Sequence, residues 1–115
     1  MKILLVDDNE DLANNLADIL SESGYPTAVA FDGKSAIDLC RSRPFDLILV
    51  DYKLPDMDGL RLQECLSEII DANYLIITAH DSINIKNEAI SRENVVGYVT
   101  KPVDIRQLLA LIGKA

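Results

Sequence analysis

The sequence is poor in the residues that mark several common classes of protein. It contains no tryptophan, one histidine and two cysteines, and its aromatic content is only 5%. Cys40 and Cys65 match no zinc or redox spacing, so we interpret both as core residues of a protein from a reducing compartment. Lysine and arginine number 11 against 19 acidic residues, giving a net charge of −8. So acidic a composition argues against direct binding of nucleic acid by this domain.

Long apolar segments are also missing. No run is long enough to cross a bilayer, and the opening run over residues 1–6 is too short for a signal peptide. We therefore expect no membrane association and a cytoplasmic location. The composition, 49% hydrophobic and 26% charged, is typical of a globular protein, and we expect residues 1–115 to form one domain.

Short apolar runs alternate with longer amphipathic segments along the chain. The strands are predicted at residues 3–6, 27–31, 46–50, 74–77 and 95–99. The helices are predicted near residues 11–23, 34–41, 62–69, 82–91 and 105–112. In the first helix the spacing places Leu12, Leu16, Ile19 and Leu20 on the core side. The fourth helix has a thin apolar stripe, formed by Ile83, Ala89 and Ile90.

Five β–α units in succession predict an α/β fold with a parallel sheet and helices on both faces. The two common arrangements are the flavodoxin-like and Rossmann strand orders. A dinucleotide-binding Rossmann protein would carry a glycine-rich loop after its first strand. This chain has Asp7-Asp8-Asn9-Glu10 there, which would repel a pyrophosphate. We therefore expect a flavodoxin-like, doubly wound (βα)5 fold with strand order 2-1-3-4-5.

Polar residues follow the strands where sites form in open α/β sheets, beyond the carboxyl ends. Asp7 and Asp8 follow the first strand, Asp51 the third, Thr78 the fourth and Lys101 the fifth. Three neighbouring carboxylates resist ionising together unless a cation is bound, and hard oxygen ligands favour Mg²⁺. A carboxylate can also attack phosphorus, while an ammonium and a hydroxyl can hold phosphate oxygens.

Each of these residues also has an ordinary structural interpretation. Asp8, Asp32 and Thr78 could simply cap helices, and Lys101 could be a solvated lysine. Asp51 is harder to explain in this way, because it follows an apolar strand and has no evident capping position. The five residues taken together favour a phosphate- and metal-binding site more strongly than any one of them does.

Four motifs make the chain resemble the receiver domains of two-component response regulators. They are Ile-Leu-Leu-Val-Asp-Asp at 3–8, Leu-Ile-Leu-Val-Asp-Tyr-Lys-Leu-Pro-Asp-Met-Asp-Gly at 47–59, Ile-Ile-Thr-Ala at 76–79 and Gly-Tyr-Val-Thr-Lys-Pro at 97–102. They occur in the family's order across nearly the whole chain. The resemblance implies a signalling switch that is phosphorylated by a sensor histidine kinase or a phosphotransfer protein.

The resemblance implies a role for each site residue. Asp51 would accept the phosphoryl group, and Lys101 would pair with that group. Asp7, Asp8 and Asp51 would hold Mg²⁺, with the backbone carbonyl of Lys53 as a further ligand. No other enzymatic activity is implied beyond self-catalysed phosphotransfer and dephosphorylation.

The resemblance also implies how the signal leaves the site. Thr78 would be the switch hydroxyl, and Tyr98 the aromatic residue that changes rotamer when Thr78 moves. Helix 4, strand 5 and helix 5 would then present a changed surface to a downstream effector domain or protein. A cis bond is expected before Pro102. His80, just past Thr78, could tune hydrolysis of the phosphoryl group or be an ordinary loop residue. Whether the phosphorylated chain forms a homodimer is left open.

One segment departs from the family pattern. Glu93-Asn94-Val95 stands where a small-residue Ala-Gly-Ala pattern is usual. Asparagine tolerates the left-handed backbone that glycine would adopt, so we expect the turn to survive. The bulkier Val95 puts the packing of the fourth helix in question.

Two other functions compete with the switch. A phosphate-independent adaptor of the same fold would have no need to gather three carboxylates. An aspartate-based phosphohydrolase usually has a second carboxylate two residues after its nucleophile, where this chain has Lys53, and a chain of this length leaves no room for a cap domain over the substrate.

Overall fold

Strands and helices alternate along the chain in a computed structural model that describes residues 1–79 and 83–115. The strands are β1 (Ile3–Val6), β2 (Thr27–Ala30), β3 (Leu47–Asp51), β4 (Asn73–Thr78) and β5 (Val95–Thr100). The helices are α1 (Glu10–Glu22), α2 (Gly33–Ser42), α3 (Gly59–Ser67), α4 (Ile83–Ile90) and α5 (Ile105–Lys114). None of the described helices is long and apolar enough to span a membrane.

The strands form one parallel sheet in the order β2-β1-β3-β4-β5. This confirms the predicted flavodoxin-like fold. The register sets Val6 beside Val50, Asp51 beside Ile77 and Thr78 beside Thr100. The carboxyl ends of the central strands are therefore level, and the residues that follow them meet at one edge.

Alternate residues of the strands feed two separate hydrophobic clusters, one on each face of the sheet. Leu4 and Val6 pack with the buried residues of α2, α3 and α4. Ile3 and Leu5 pack with those of α1 and α5. Because both faces are covered, the inner strands are continuous apolar runs in the sequence and do not alternate with polar residues.

Side-chain caps begin four of the helices. In each case the oxygen of the capping residue accepts a backbone N–H bond from the first turn, which satisfies a donor that the helix leaves unpaired. The caps are Asn9, Asp32, Asp58 and Asp104. The capping interpretation of Asp32 is thus confirmed, and its bond from the Ser35 N–H lowers the pKa of the Asp32 carboxyl. Asp8 is not the cap of α1, since Asn9 takes that position.

The predicted apolar stripe of α1 is partly wrong. Leu12 and Ile19 are 38% and 36% exposed. The buried residues of the helix are Ala13, Leu16, Ala17 and Leu20. Their spacing is the i, i+3, i+4, i+7 pattern of one helix face. Two alanines therefore take the core positions, and the larger side chains beside them remain at the surface.

Helix α4 turns Ile83 and Ile90 outward, contrary to prediction. Ile83 is 66% and Ile90 53% exposed, whereas Ala89 is fully buried.

The turn after α4 is attached to helix α3 by Arg92. The Arg92 guanidinium donates to the Gln63 side chain at 2.9 Å and to the Leu60 carbonyl at 3.2 Å. Salt bridges from Arg92 to Glu64 and Glu88 add to this contact. Polar contacts at one end thus supplement the small apolar contact of α4.

The turn at residues 93–95 is formed without left-handed backbone. No described residue other than glycine has a positive φ, so the left-handed conformation expected for Asn94 is not adopted. Its carbonyl accepts the Tyr74 N–H at 2.8 Å, and the Val95 N–H donates to the Arg92 carbonyl at 3.2 Å. Val95 lies in the same buried cluster as Ala89. The larger side chain is therefore packed beside α4.

The two cysteines differ in burial. Cys40 is a core residue as predicted, and burial raises the pKa of its thiol to about 11. Cys65 is only partly buried, so its assignment to the core is wrong. It lies on the outer side of α3, beside Arg61, Glu64 and Glu68.

Tyr74→Phe should increase the free energy of unfolding. The Tyr74 side chain is fully buried, and its hydroxyl has no hydrogen-bond partner among the described residues. Removing an unsatisfied buried hydroxyl should stabilise the protein by about 1 kcal/mol, which urea denaturation would measure. Tyr25→Phe is the matched control, because it removes a hydroxyl from a partly exposed side chain and should have a smaller effect. A loss of stability in Tyr74→Phe would mean that the hydroxyl has a partner in solution.

Candidate functional site

An ammonium group bridges two buried carboxylates at the carboxyl edge of the sheet. Asp7 directly follows β1, Asp51 ends β3, and Lys101 directly follows β5. The Nζ atom of Lys101 lies 2.9 Å from Oδ2 of Asp7 and 2.9 Å from Oδ2 of Asp51. The two aspartates are only 4% and 5% exposed. The ends of β1, β3 and β5 thus bring their charged residues into direct contact.

Burial and the pairing of Lys101 with the carboxylates have opposing effects on the pKa values of Asp51 and Lys101. Burial raises the pKa of Asp51, the bond and charge of Lys101 counteract it only in part, and neighbouring Asp7 raises it further. For Lys101, burial alone would lower the pKa, but the hydrogen bonds and charges of Asp51 and Asp7 outweigh it and leave the pKa raised. Lys101 therefore remains a cation at neutral pH.

Asp8 completes a cluster of three carboxylates. One oxygen from each of Asp7, Asp8 and Asp51 lies within 4.8 Å of the others. Asp8 is exposed, so the cluster opens to solvent on its side. One ammonium for three carboxylates leaves an excess of negative charge, and hard oxygen donors at this spacing suit a divalent cation. The cluster could therefore hold a metal ion.

Backbone N–H groups orient the two buried carboxylates. Oδ1 of Asp7 accepts the Asn9 N–H at 3.0 Å, and Oδ1 of Asp51 accepts the Lys53 N–H at 3.3 Å. In each aspartate one oxygen thus faces Lys101 while the other is held by the chain two residues ahead. This arrangement fixes the side-chain rotamers without using every lone pair, since a carboxylate oxygen can accept more than one bond.

The structure places Thr78 at the same edge and Tyr98 further back. Thr78 ends β4 and is fully buried, and its carbonyl accepts the Lys101 N–H at 2.8 Å. Tyr98 is half-buried, pairs with Ile76 in the sheet and packs on the cluster that contains α4. The Lys101–Pro102 peptide bond is cis, as expected. The prediction for His80 lies outside the described residues.

Two features near the site were not predicted from the sequence. The first is Asp56, whose carboxylate accepts the Gly33 and Lys34 N–H groups of α2 at 2.8 and 3.0 Å. A residue of a turn-rich loop gives no sign of a partner more than twenty positions away. The second is an apolar cavity of about 260 Å³ between α1 and the segment around Pro102. Its lining includes Leu12 and Ile19, both of which were predicted to lie in the core.

Comparison with known proteins agrees with this geometry. The family model described as the response regulator receiver domain matches residues 3–113. The chain belongs to this family. Receiver domains are the signalling modules of two-component response regulators, so the resemblance inferred from the four motifs is confirmed.

Curated relatives of this receiver domain are longer than the chain itself. It is 39% identical over 111 residues to a response regulator receiver protein from Anaeromyxobacter, covering 96% of this chain and 46% of the relative. It is 36% identical over 117 residues to the transcriptional regulatory protein ZraR from Escherichia coli O157:H7, covering 98% of this chain and 26% of that protein. The chain thus spans half or less of these relatives.

Solved receiver structures superpose closely. The receiver domain of response regulator 1452 from Francisella is 32% identical, with a TM-score of 0.89 and coverage of 98% of this chain and 93% of that one. A response regulator from Burkholderia pseudomallei with a phosphorylated aspartic acid, a calcium ion and citrate is 32% identical, with a TM-score of 0.87 and coverage of 96% and 65%.

Asp8→Asn should stabilise the metal-free protein. The change removes one of three neighbouring carboxylates that repel one another and keeps the shape of the side chain. We expect the melting temperature to rise by about 2–5 °C in a buffer with a chelator, measured by circular dichroism. Asp38→Asn removes the same charge from the exposed side of α2, away from the cluster, and serves as the control. An equal rise in both variants would trace the effect to net charge and not to the cluster.

Proposed function

We propose that this receiver domain is a phosphorylation-dependent switch in which Asp51 accepts a phosphoryl group from the phosphohistidine of a sensor histidine kinase or phosphotransfer protein. The observation that supports this most directly is that the Asp51 carboxylate contacts Lys101 and forms one cluster with the carboxylates of Asp7 and Asp8. A buried carboxylate with a paired ammonium and a metal-binding cluster has the groups that phosphoryl transfer requires.

In the transfer step, an oxygen of the Asp51 carboxylate attacks phosphorus as the bond from phosphorus to the donor imidazole breaks. The imidazole nitrogen retains the bonding electrons and takes up a proton. Lys101, within 2.9 Å of Asp51 Oδ2, is placed to pair with an oxygen of the transferred group. Positioning and charge neutralisation of this kind account for most of the catalysis in phosphoryl transfer.

The metal-binding residues would be Asp7, Asp8 and Asp51, with the backbone carbonyl of Lys53 as a further ligand. Bound Mg²⁺ would neutralise charge on the transferring phosphoryl group and on the carboxylates around it. The excess of two carboxylates over the single ammonium supports this assignment. So does the related structure from Burkholderia pseudomallei, which contains a phosphorylated aspartic acid and a calcium ion. Mg²⁺ is the better expectation here, because it keeps several waters and shares its ligands with phosphate.

The apolar cavity beside α1 is the expected docking place for the donor. It is lined by Leu12 and Ile19 on α1 and by Pro102 and Val103 after β5, and Lys101 connects it to the carboxylates. A donor helix seated there would bring its phosphohistidine to the open side of the cluster. The exposed leucine and isoleucine of α1 would then have a partner to cover them.

The output would pass through Thr78 and Tyr98. The new dianion draws the Thr78 hydroxyl toward it, Tyr98 follows, and the surface of α4, β5 and α5 changes. Exposed Ile83, Ile90 and Val96 supply apolar area on that surface. An effector domain, a separate effector protein or a second phosphorylated copy of the chain would bind there.

We place this domain in the cytoplasm, where the kinase would supply its phosphoryl group. The output would be carried by an effector region or a separate effector protein, and the chain covers only 26% of the related transcriptional regulatory protein ZraR. Apart from catalysing its own phosphorylation and dephosphorylation, the domain is not an enzyme. Binding of nucleic acid would fall to an effector region, since this domain is strongly acidic.

Asp51→Asn should abolish phosphorylation by a small donor such as acetyl phosphate in the presence of Mg²⁺. Asparagine keeps the shape of the side chain but lacks the nucleophilic carboxylate. Intact-protein mass spectrometry would show one added phosphoryl group on the native protein and on the Asp38→Asn control. Uptake by Asp51→Asn would place the acceptor elsewhere. If the NMR spectrum of the native protein does not change on addition of Mg²⁺ and beryllofluoride, the protein is instead a phosphate-independent adaptor.

Thr78→Ala should separate phosphorylation from the response to it. The variant keeps Asp51 and Lys101, so it should still gain the phosphoryl group, but the change in the ring signals of Tyr98 on addition of beryllofluoride should fall by at least about half in NMR spectra. Thr100→Ala is the matched control, because Thr100 pairs with Thr78 in the sheet yet is exposed. If Tyr98 responds equally in both variants, the hydroxyl of Thr78 does not carry the signal.

A further inference from the structure

The loop between β3 and α3 is attached to a helix from another part of the chain. Oδ1 of Asp56 accepts the Gly33 N–H at 2.8 Å, and Oδ2 accepts the Lys34 N–H at 3.0 Å. Since the cap of α2, Asp32, takes only the Ser35 N–H, Asp56 supplies partners for two further donors of the first turn. A carboxylate at a helix N-terminus is also favoured by the helix dipole.

The neighbouring residue reinforces this attachment. Gly33 is buried, and a Cβ atom added to it would lie only 2.8 Å from the Sδ atom of Met57. Met57 therefore packs directly against the backbone at the start of α2. Residues 56 and 57 together fix the middle of the loop, by two charge-assisted hydrogen bonds and one close apolar contact.

The beginning of the same loop faces the carboxylates. The Gly59 N–H donates to the Tyr52 carbonyl at 2.6 Å, and Lys53 and Asp58 form an isolated antiparallel bridge. The loop is thus a narrow hairpin. Lys53 directs its N–H to Asp51 Oδ1 at 3.3 Å. In the extended backbone of a β-bridge residue the N–H and C=O groups point to the same side, so we infer that the Lys53 carbonyl also faces the Asp51 side.

We propose that Asp56 is a positioning residue for the metal site. It acts by holding the hairpin of residues 52–58 against α2, so that the Lys53 carbonyl is already oriented toward the carboxylate cluster before a metal ion binds. Without Asp56 the hairpin would have to be ordered when the metal binds, and that cost would appear as weaker binding. This inference rests on the proposed function, because it takes Mg²⁺ as the ion and the Lys53 carbonyl as its ligand.

The test is an Mg²⁺ titration of the full chain, followed by backbone amide NMR shifts. Asp56→Ala should bind Mg²⁺ about tenfold more weakly than the native protein, the low end of the effect expected when a residue supporting a metal ligand is lost. Asp58→Asn is the charge-matched control. It removes a negative charge from the same hairpin but keeps the cap of α3, since asparagine caps helices as well as aspartate does. Its affinity should stay within about twofold of the native value.

A second control separates positioning from general stability. Asp46 accepts the Lys2 N–H at 2.7 Å near the opposite ends of β1 and β3, so Asp46→Ala loses a comparable bond away from the site. Both alanine variants should unfold at lower temperature, and only Asp56→Ala should lose metal affinity. Asp56→Asn, which keeps one acceptor oxygen for α2, should recover part of the affinity. Equal losses in Asp46→Ala and Asp56→Ala would overturn the inference.

Phosphorylation by acetyl phosphate gives an independent measurement. The Mg²⁺ concentration for half-maximal rate should rise about tenfold in Asp56→Ala, while the rate at saturating Mg²⁺ should stay near that of the native protein. Unchanged Mg²⁺ affinity in Asp56→Ala, beside normal binding by the native protein, would disprove the role of Asp56 alone. Absence of any Mg²⁺ response in the native protein would instead disprove the proposed function.

Discussion

The site depends on one ammonium group placed between two carboxylates. Lys101 reaches Asp7 and Asp51 at equal distance, and without it two nearly buried negative charges would face each other. Removing charges from water is costly unless they are paired, so this contact offsets the cost of burying the two carboxylates at the edge of the sheet. The contact also links the ends of β1, β3 and β5. The sheet and the site are therefore stabilised by the same interaction.

The sequence predicted the architecture well because the inner strands are buried on both faces. A run such as residues 47–50 is apolar at every position, which is typical of a strand covered on both faces. The alternation of such runs with amphipathic segments then predicts the class of fold. The positions of Asp7, Asp51 and Lys101 followed from the fold alone, since parallel strands end at one edge. The switch roles of Thr78 and Tyr98 came only from the family resemblance.

The remaining features depend on tertiary geometry that no local pattern contains. On α1 the core positions are taken by Ala13 and Ala17 and not, as had been predicted, by Leu12 and Ile19. Two overlapping faces of that helix are apolar, and only the way it packs on the sheet decides which one is buried. In α4 the contact with the sheet is small. It buries the small side chain of Ala89 and leaves Ile83 and Ile90 exposed. The sequence around Asp56 is that of an ordinary turn. Its hydrogen-bond partner on α2 comes close only when the chain has folded.

The division of the core into two clusters has a consequence for how such a domain can diversify. Within the part of the chain that the structure describes, the residues under α1 and α5 share no apolar cluster with those under α3 and α4, since the backbone of the sheet lies between them. Substitutions on the two sides should therefore be nearly additive in their energies. The surface beside α1 can therefore acquire new binding partners while the surface beside α4 stays unaltered. The site at the ends of the strands, which both surfaces share, keeps the same chemistry.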